Sequence, residues 1–246
     1  MKKRFGFTLA EVLITLGIIG VVSMMVLPTI KGETEKIVTM AQLKHSYSTL
    51  QNAIRMSEYH NGKIKRWQIP MAGKAFFDKY FKNYLKYTTE ISTTDLGNAY
   101  PRTYLNGTKY TGTTYSVWDA NRSHHVLLLN GSMITFNWSD SHDWQMWIGI
   151  DVNGINPPNR IGRDTFLFTL TNDYGLQPLG GPGTVDGTQA NGVDYTYGPE
   201  YNRNYVMNAN KRFACNREQQ GYWCTALVMN DGWKISKDYP WSKVKK

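Results

Sequence analysis

One apolar run constrains this chain more than any other feature. From Phe7 to Leu27 the sequence reads FTLAEVLITLGIIGVVSMMVL, 21 residues with a single ionisable side chain, Glu11. As a helix the run spans roughly 31 Å, about one bilayer hydrocarbon core. Twelve of its residues are Phe, Leu, Ile or Val. At about −0.3 to −0.6 kcal/mol each, they outweigh one carboxylate, which costs about 3 kcal/mol at mid-bilayer and less near a helix start. The segment therefore inserts. Residues 1–6 carry Lys2, Lys3 and Arg4, a positive leader that stays cytoplasmic and sends the chain beyond Leu27 across the membrane. A cleaved secretory signal would be shorter and end in a small-x-small site, which Leu27-Pro28-Thr29-Ile30-Lys31 does not offer.

An acid inside a membrane segment is a functional candidate that needs a partner. Basic leader, Gly6, Phe7, Thr8, Leu9 and then Glu11 within a continuous apolar run closely resembles the N-terminal signal of type IV prepilins and type II secretion pseudopilins. The resemblance covers about the first 30 residues. It implies cutting after Gly6 by a prepilin peptidase, which then methylates the new amine of Phe7. It also implies a register role for Glu11 and a helix bend at Pro28. The implied partners are that peptidase/methyltransferase, other pilin or pseudopilin subunits, the cytoplasmic membrane and an inner-membrane assembly platform.

The residues suit that chemistry. Gly6 has no side chain to obstruct a protease at the backbone. Cleavage leaves an α-amine on Phe7 in apolar surroundings, where it needs a counter-charge, and Glu11 is the nearby candidate. The two could pair within one helix, four positions apart; the resemblance implies pairing with a neighbouring subunit instead.

Beyond Pro28 the pattern becomes amphipathic. Ile37, Met40, Ala41, Lys44, Tyr47, Leu50 and Ile54 recur at spacings of three and four, and Asn61-Gly62 is a stop signal. The reading is a leader (1–6), a membrane or filament-core helix (7–27), its amphipathic continuation (28–61) and an extracytoplasmic head (62–246). Within the head, Lys74–Tyr87 has helical spacing. Val126–Leu129 and Met133–Phe136 flank Asn130-Gly131 as a hairpin with a type I′ turn. Trp144–Val152 and Thr165–Thr171 look like strands, and 178–199 reads as a long Gly- and Pro-rich surface loop. The fold class is α+β: a long bent helix packed on a mostly antiparallel sheet, in line with the pilin-like head that the resemblance implies.

Two cysteines exclude a disulfide-dense scaffold and an all-thiolate zinc site. Outside the cytoplasm, Cys215 and Cys224 are expected to form a disulfide. The segment from Asp151 to Asp164 is rich in oxygen ligands, with Asp151, Asn153 and Asp164 the candidate calcium ligands. Its spacing departs from an EF-hand, and plain Asx and Gly turns give the same composition. His124-His125 and His142-Asp143 match no metal or catalytic motif, nor does any nucleophile or phosphate-loop motif occur.

An enzyme is therefore not expected, and no cofactor is needed beyond the calcium option. With 28 Lys+Arg against 19 Asp+Glu the chain carries +9, and +6 without its leader, so DNA is a conceivable partner. The expectation is a structural subunit of a pilus or pseudopilus, starting in the inner membrane with its head outside. The alternative is an uncleaved single-pass binding protein, an adhesin or DNA receptor.

Overall fold

The computed structural model describes residues 7–69, 71–92, 96, 102–110, 122–138, 145–181, 185–190, 193–196, 202–208 and 210–241, without the side chains of 27–29, 185–190 and 193–196. Two compact units result, Met1–Val38 and Thr39–Lys246. Helix α1 (Leu9–Asn61) contributes to both and ends at Gly62, whose φ of +81° terminates it in the left-handed conformation. In the first unit the apolar side chains of α1 are solvent-exposed all around.

The second unit is built on a six-stranded antiparallel meander in which every strand lies beside its chain neighbour. The strands are β1 (Tyr87–Ile91), β2 (His124–Leu128), β3 (Met133–Trp138), β4 (Gln145–Asp151), β5 (Thr165–Thr171) and β6 (Gly175–Pro178). The order α-helix, then antiparallel sheet, makes the fold α+β and fits a pilin-like layout.

Strand alternation gives the sheet two faces. Val126, Leu128, Ile134, Phe136, Ile148, Ile150, Phe166 and Phe168 share one face and are buried. Leu43, Leu50, Ala53 and Ile54 of α1 belong to the same core, and Tyr47 stacks on Phe168 at 5.5 Å. Helix α2 (Gly73–Tyr80) adds Phe76 and Phe77. The buried stripe of α1 differs from the sequence reading. Leu43, Ser46, Ala53 and Ser57 are inside, whereas Ile37, Ala41 and Lys44 are not. The buried hydroxyls are paired, Ser46 Oγ accepting from Asn130 Nδ2 and Ser57 Oγ from Asn61 Nδ2, which an apolarity pattern does not register.

Three further expectations are corrected. The helix expected over Lys74–Tyr87 stops at Tyr80, because the chain must turn through Phe81–Leu85 to bring Tyr87 into β1. Phe81 and Leu85 still bury, so the apolar spacing outlasts the helix. The β2–β3 turn is not type I′: its positive-φ residue is Gly131 alone. Gly131 N donates to Leu128 O and Leu128 N to Ser132 O, a three-residue loop with glycine in the left-handed position. Asn130 instead accepts from Ser132 N and donates to Ser46 Oγ of α1. The surface loop expected over 178–199 contains a two-stranded hairpin, β7 (Val185–Ala190) with β8 (Val193–Thr196). Two short helices follow, α3 (Arg203–Val206) and α4 (Cys224–Asn230).

The second face of the sheet is also buried and carries many polar residues, His125, Thr135, Asn137, Gln145, Thr169 and Thr171, beside Met133, Trp147 and Leu167. The polar groups pair laterally. His125 Nδ1 lies 2.8 Å from Thr135 Oγ1, Thr169 Oγ1 donates to Gln145 Oε1 at 2.9 Å, and Asn137 Nδ2 donates to Ser123 Oγ at 2.7 Å. Trp147 on this face meets Tyr222 edge-on, at 6.1 Å between ring centroids.

Candidate functional site

The candidate site is the start of α1. Thr8 and Glu11 close a reciprocal cap there. Thr8 N and Thr8 Oγ1 donate to Glu11 Oε2 at 2.8 and 2.9 Å, and Glu11 N donates to Thr8 Oγ1 at 3.2 Å. This is the capping box that a Thr-x-x-Glu spacing encodes. The spacing is plain in the sequence, yet the cap itself was missed there. Phe7, two positions before the helix, is almost wholly exposed. Leu9–Val26 is long and apolar enough to cross a membrane, and none of it is buried within the protein. Gly17 and Gly20 have open space where a Cβ would stand. Glu11 is thus the one ionisable side chain of an apolar surface that the first unit leaves uncovered. The leader and Gly6 lie outside the described residues, and α1 remains helical through residue 28.

In the head, Cys215 and Cys224 are joined as a disulfide and both are fully buried. Cys224 opens α4, whose Thr225 Oγ1 accepts from Leu167 N on β5. Gly162 must be glycine here: its φ is +76° and a Cβ would stand 2.8 Å from Cys224 Sγ.

Asp151, Asn153 and Asp164 share one loop, but protein donors engage both carboxylates. Asp151 accepts from Thr165 Oγ1 and Asn153 N. Asp164 accepts from Asn159 N at 2.8 Å and Arg160 N at 2.5 Å. Arg160 in turn donates to Leu105 O, tying the loop to the 102–110 segment. Burial pushes the Asp164 carboxyl up to about 6 against those backbone donors. The loop's carboxylates are thus engaged by protein donors. Among the described residues no three His, Cys, Asp or Glu side chains gather to hold a metal.

His124 and His125 point to opposite faces of β2. His124 lies 3.3 Å from Glu90 and packs on Phe77. His125 is fully buried, and burial, aided by Arg102 and His124, drives its imidazole down to about 3. His142-Asp143 and the lysines after Trp241 lie outside the described residues.

Residues 1–27 match the prokaryotic N-terminal methylation motif. With the capped, apolar start of α1 that lies within it, this supports a type IV pilin-like prepilin signal and membrane anchoring through Leu9–Val26. Residues 29–244 match a family of unknown function, DUF6613, and the chain belongs to that family. No curated protein and no solved structure matches it.

Proposed function

We propose that this chain is a non-enzymatic structural subunit, cut between Gly6 and Phe7, N-methylated at Phe7 and polymerised through α1 into a pilus or pseudopilus. The observation that carries the reading is the coincidence of the methylation motif with an apolar helical segment, Leu9–Val26, whose one acid, Glu11, sits beside the new terminus. Burying those exposed Leu, Ile and Val side chains in lipid or among identical helices stabilises either location, at about 25 cal/mol per Å² removed from water. A chain can therefore move from membrane to filament without losing that term, and the carboxylate supplies the register. In this reading the head lies outside the cytoplasm, where its disulfide persists, and Pro28 marks a bend in α1.

Intact-mass measurement of the native protein tests this. The expected species begins at Phe7 and carries one methyl group on its α-amine. Recovery of the full leader would assign the chain to a permanently anchored protein instead.

A further inference from the structure

We propose that the surface formed by the last turns of α1, the 3-10 turn after it (Ile64–Arg66) and the Tyr84 turn binds single-stranded nucleic acid. This lies in the second unit and does not use the membrane-spanning part of α1. Tyr59 is 86% exposed, a large ring that the core does not use. Its neighbour His60 meets it edge-on at 5.0 Å and stacks on Tyr84 at 5.4 Å, with the planes 15° apart. The result is a step of rings at the protein surface. From Arg55 to Arg66 the chain carries Arg55, Lys63, Lys65 and Arg66 against the single acid Glu58, and Lys86 is exposed just past Tyr84.

The platform is held rigidly. Glu58 Oε1 accepts from Ile64 N, Trp67 Nε1 donates to Gly62 O, and Trp67 stacks on Tyr80 at 4.4 Å. Asn172 Nδ2 donates to both Ile64 O and Trp67 O. Rings displayed on a fixed frame lose little entropy when a base stacks on them, and the flanking cations meet the phosphates.

A second copy of this chain would need an acidic counterpart. Among the head residues with described side chains, Asp78 and Glu90 are engaged by Lys74 and Lys82, and Asp231 and Asp238 by Arg203, which leaves Asp173 and Glu218 as exposed acids outside these pairs, too few to match the cations of the platform. Asp151 and Asp164 are buried. Cations alone would accept any polyanion; the exposed ring beside them favours one with flat bases.

The test is fluorescence anisotropy of a labelled oligo(dT) of about 15 nucleotides with the full, unassembled chain in detergent. Binding should weaken with salt. Tyr59→Ala should raise Kd about 5- to 150-fold. Lys65→Gln with Arg66→Gln should lower the slope of log K against log salt by about 0.7 for each phosphate no longer neutralised. Lys211→Gln, elsewhere on the head, should change neither. No salt-dependent binding overturns the proposal. So does binding that Tyr59→Ala leaves intact and that heparin or phosphatidylglycerol vesicles displace equally well, since that identifies a generic polyanion surface. Tyr59 and Lys65 are exposed, and near-UV circular dichroism checks that each variant stays folded. Because unassembled protein is used, failure here leaves the polymerisation reading standing.

Discussion

Thr8 and Glu11 each satisfy a backbone N–H of the other, with Thr8 N to Glu11 Oε2 at 2.8 Å and Glu11 N to Thr8 Oγ1 at 3.2 Å. The carboxylate that is proposed to set filament register therefore already has a local task in the single chain. It holds the first turn of α1 closed, so its charge is aimed at the helix start. Replacing Thr8 by Ala should open that turn. Amide exchange at residues 10–12 in detergent should quicken roughly five-fold, the effect of removing a typical N-cap. Glu11→Ala should leave leader removal intact and abolish filaments. Filament yield equal to wild type would show that the carboxylate is not the register element.

The disulfide sits where reductant does not reach it. Cys215 and Cys224 are fully buried, and Gly162 packs against the latter. Native protein should keep the bond in dithiothreitol, measured by thiol alkylation and mass spectrometry, and lose it once denaturant opens the head. Cys215→Ser with Cys224→Ser should cost about 2.5–3 kcal/mol by loop entropy, read as a lower denaturant midpoint.

His125 and Asp164 push stability in opposite directions with pH. The imidazole sits near 3 when folded against about 6.5 unfolded. The unfolded chain therefore binds the extra proton, and stability falls as pH drops from 6.5 towards 3. The Asp164 carboxyl, up at about 6 when folded against 3.8, does the reverse, with stability falling as pH rises from 3.8 to 6. The His125 window is wider, so net acid destabilisation of about 2 kcal/mol is expected from the pair. His125→Gln, which retains a partner for Thr135, should flatten the acid limb of a melting-temperature profile. An unchanged limb would place the acid sensitivity elsewhere.

Arg203, in α3, fastens the end of the described chain. Its guanidinium bonds Asp231, both oxygens of Asp238 and Ser236. These acids hold the guanidinium above its usual range, Asp231 foremost. Part of the cluster is exposed, which limits its value to about 1–2 kcal/mol. Arg203→Met should expose the 231–241 segment to limited proteolysis well before the sheet. Resistance equal to wild type would show that packing of Tyr239, which donates to Gly162 O, suffices.

Legibility in the sequence followed the physical type of each signal. The apolar run of α1, the strand Thr165–Thr171 and the hairpin around Gly131 were readable because unbroken hydrophobicity, β-branched alternation and glycine chemistry act locally. The cap between Thr8 and Glu11 was equally local, and the Thr-x-x-Glu spacing could have revealed it. The polar positions on the second face of the sheet were not readable. His125, Thr135, Gln145 and Thr169 look like solvent-facing strand positions until their lateral partners, from other strands, are known. Ser46 and Ser57 were missed for a similar reason, since their burial rests on hydrogen bonds from Asn130 and Asn61 rather than on apolarity. The basic platform at Tyr59–Arg66 was legible as composition, but the step from Tyr59 through His60 to Tyr84 needs the tertiary fold.

The strictly sequential sheet order has a bearing on biogenesis. From β2 to β6, each strand finds its partner in the strand made just before it, so the six-stranded sheet can zip up in synthesis order, one closure at a time. The later join of Thr225 to Leu167 reaches far back along the chain. A half-finished head already owns a growing template, and its tail arrives as a latch.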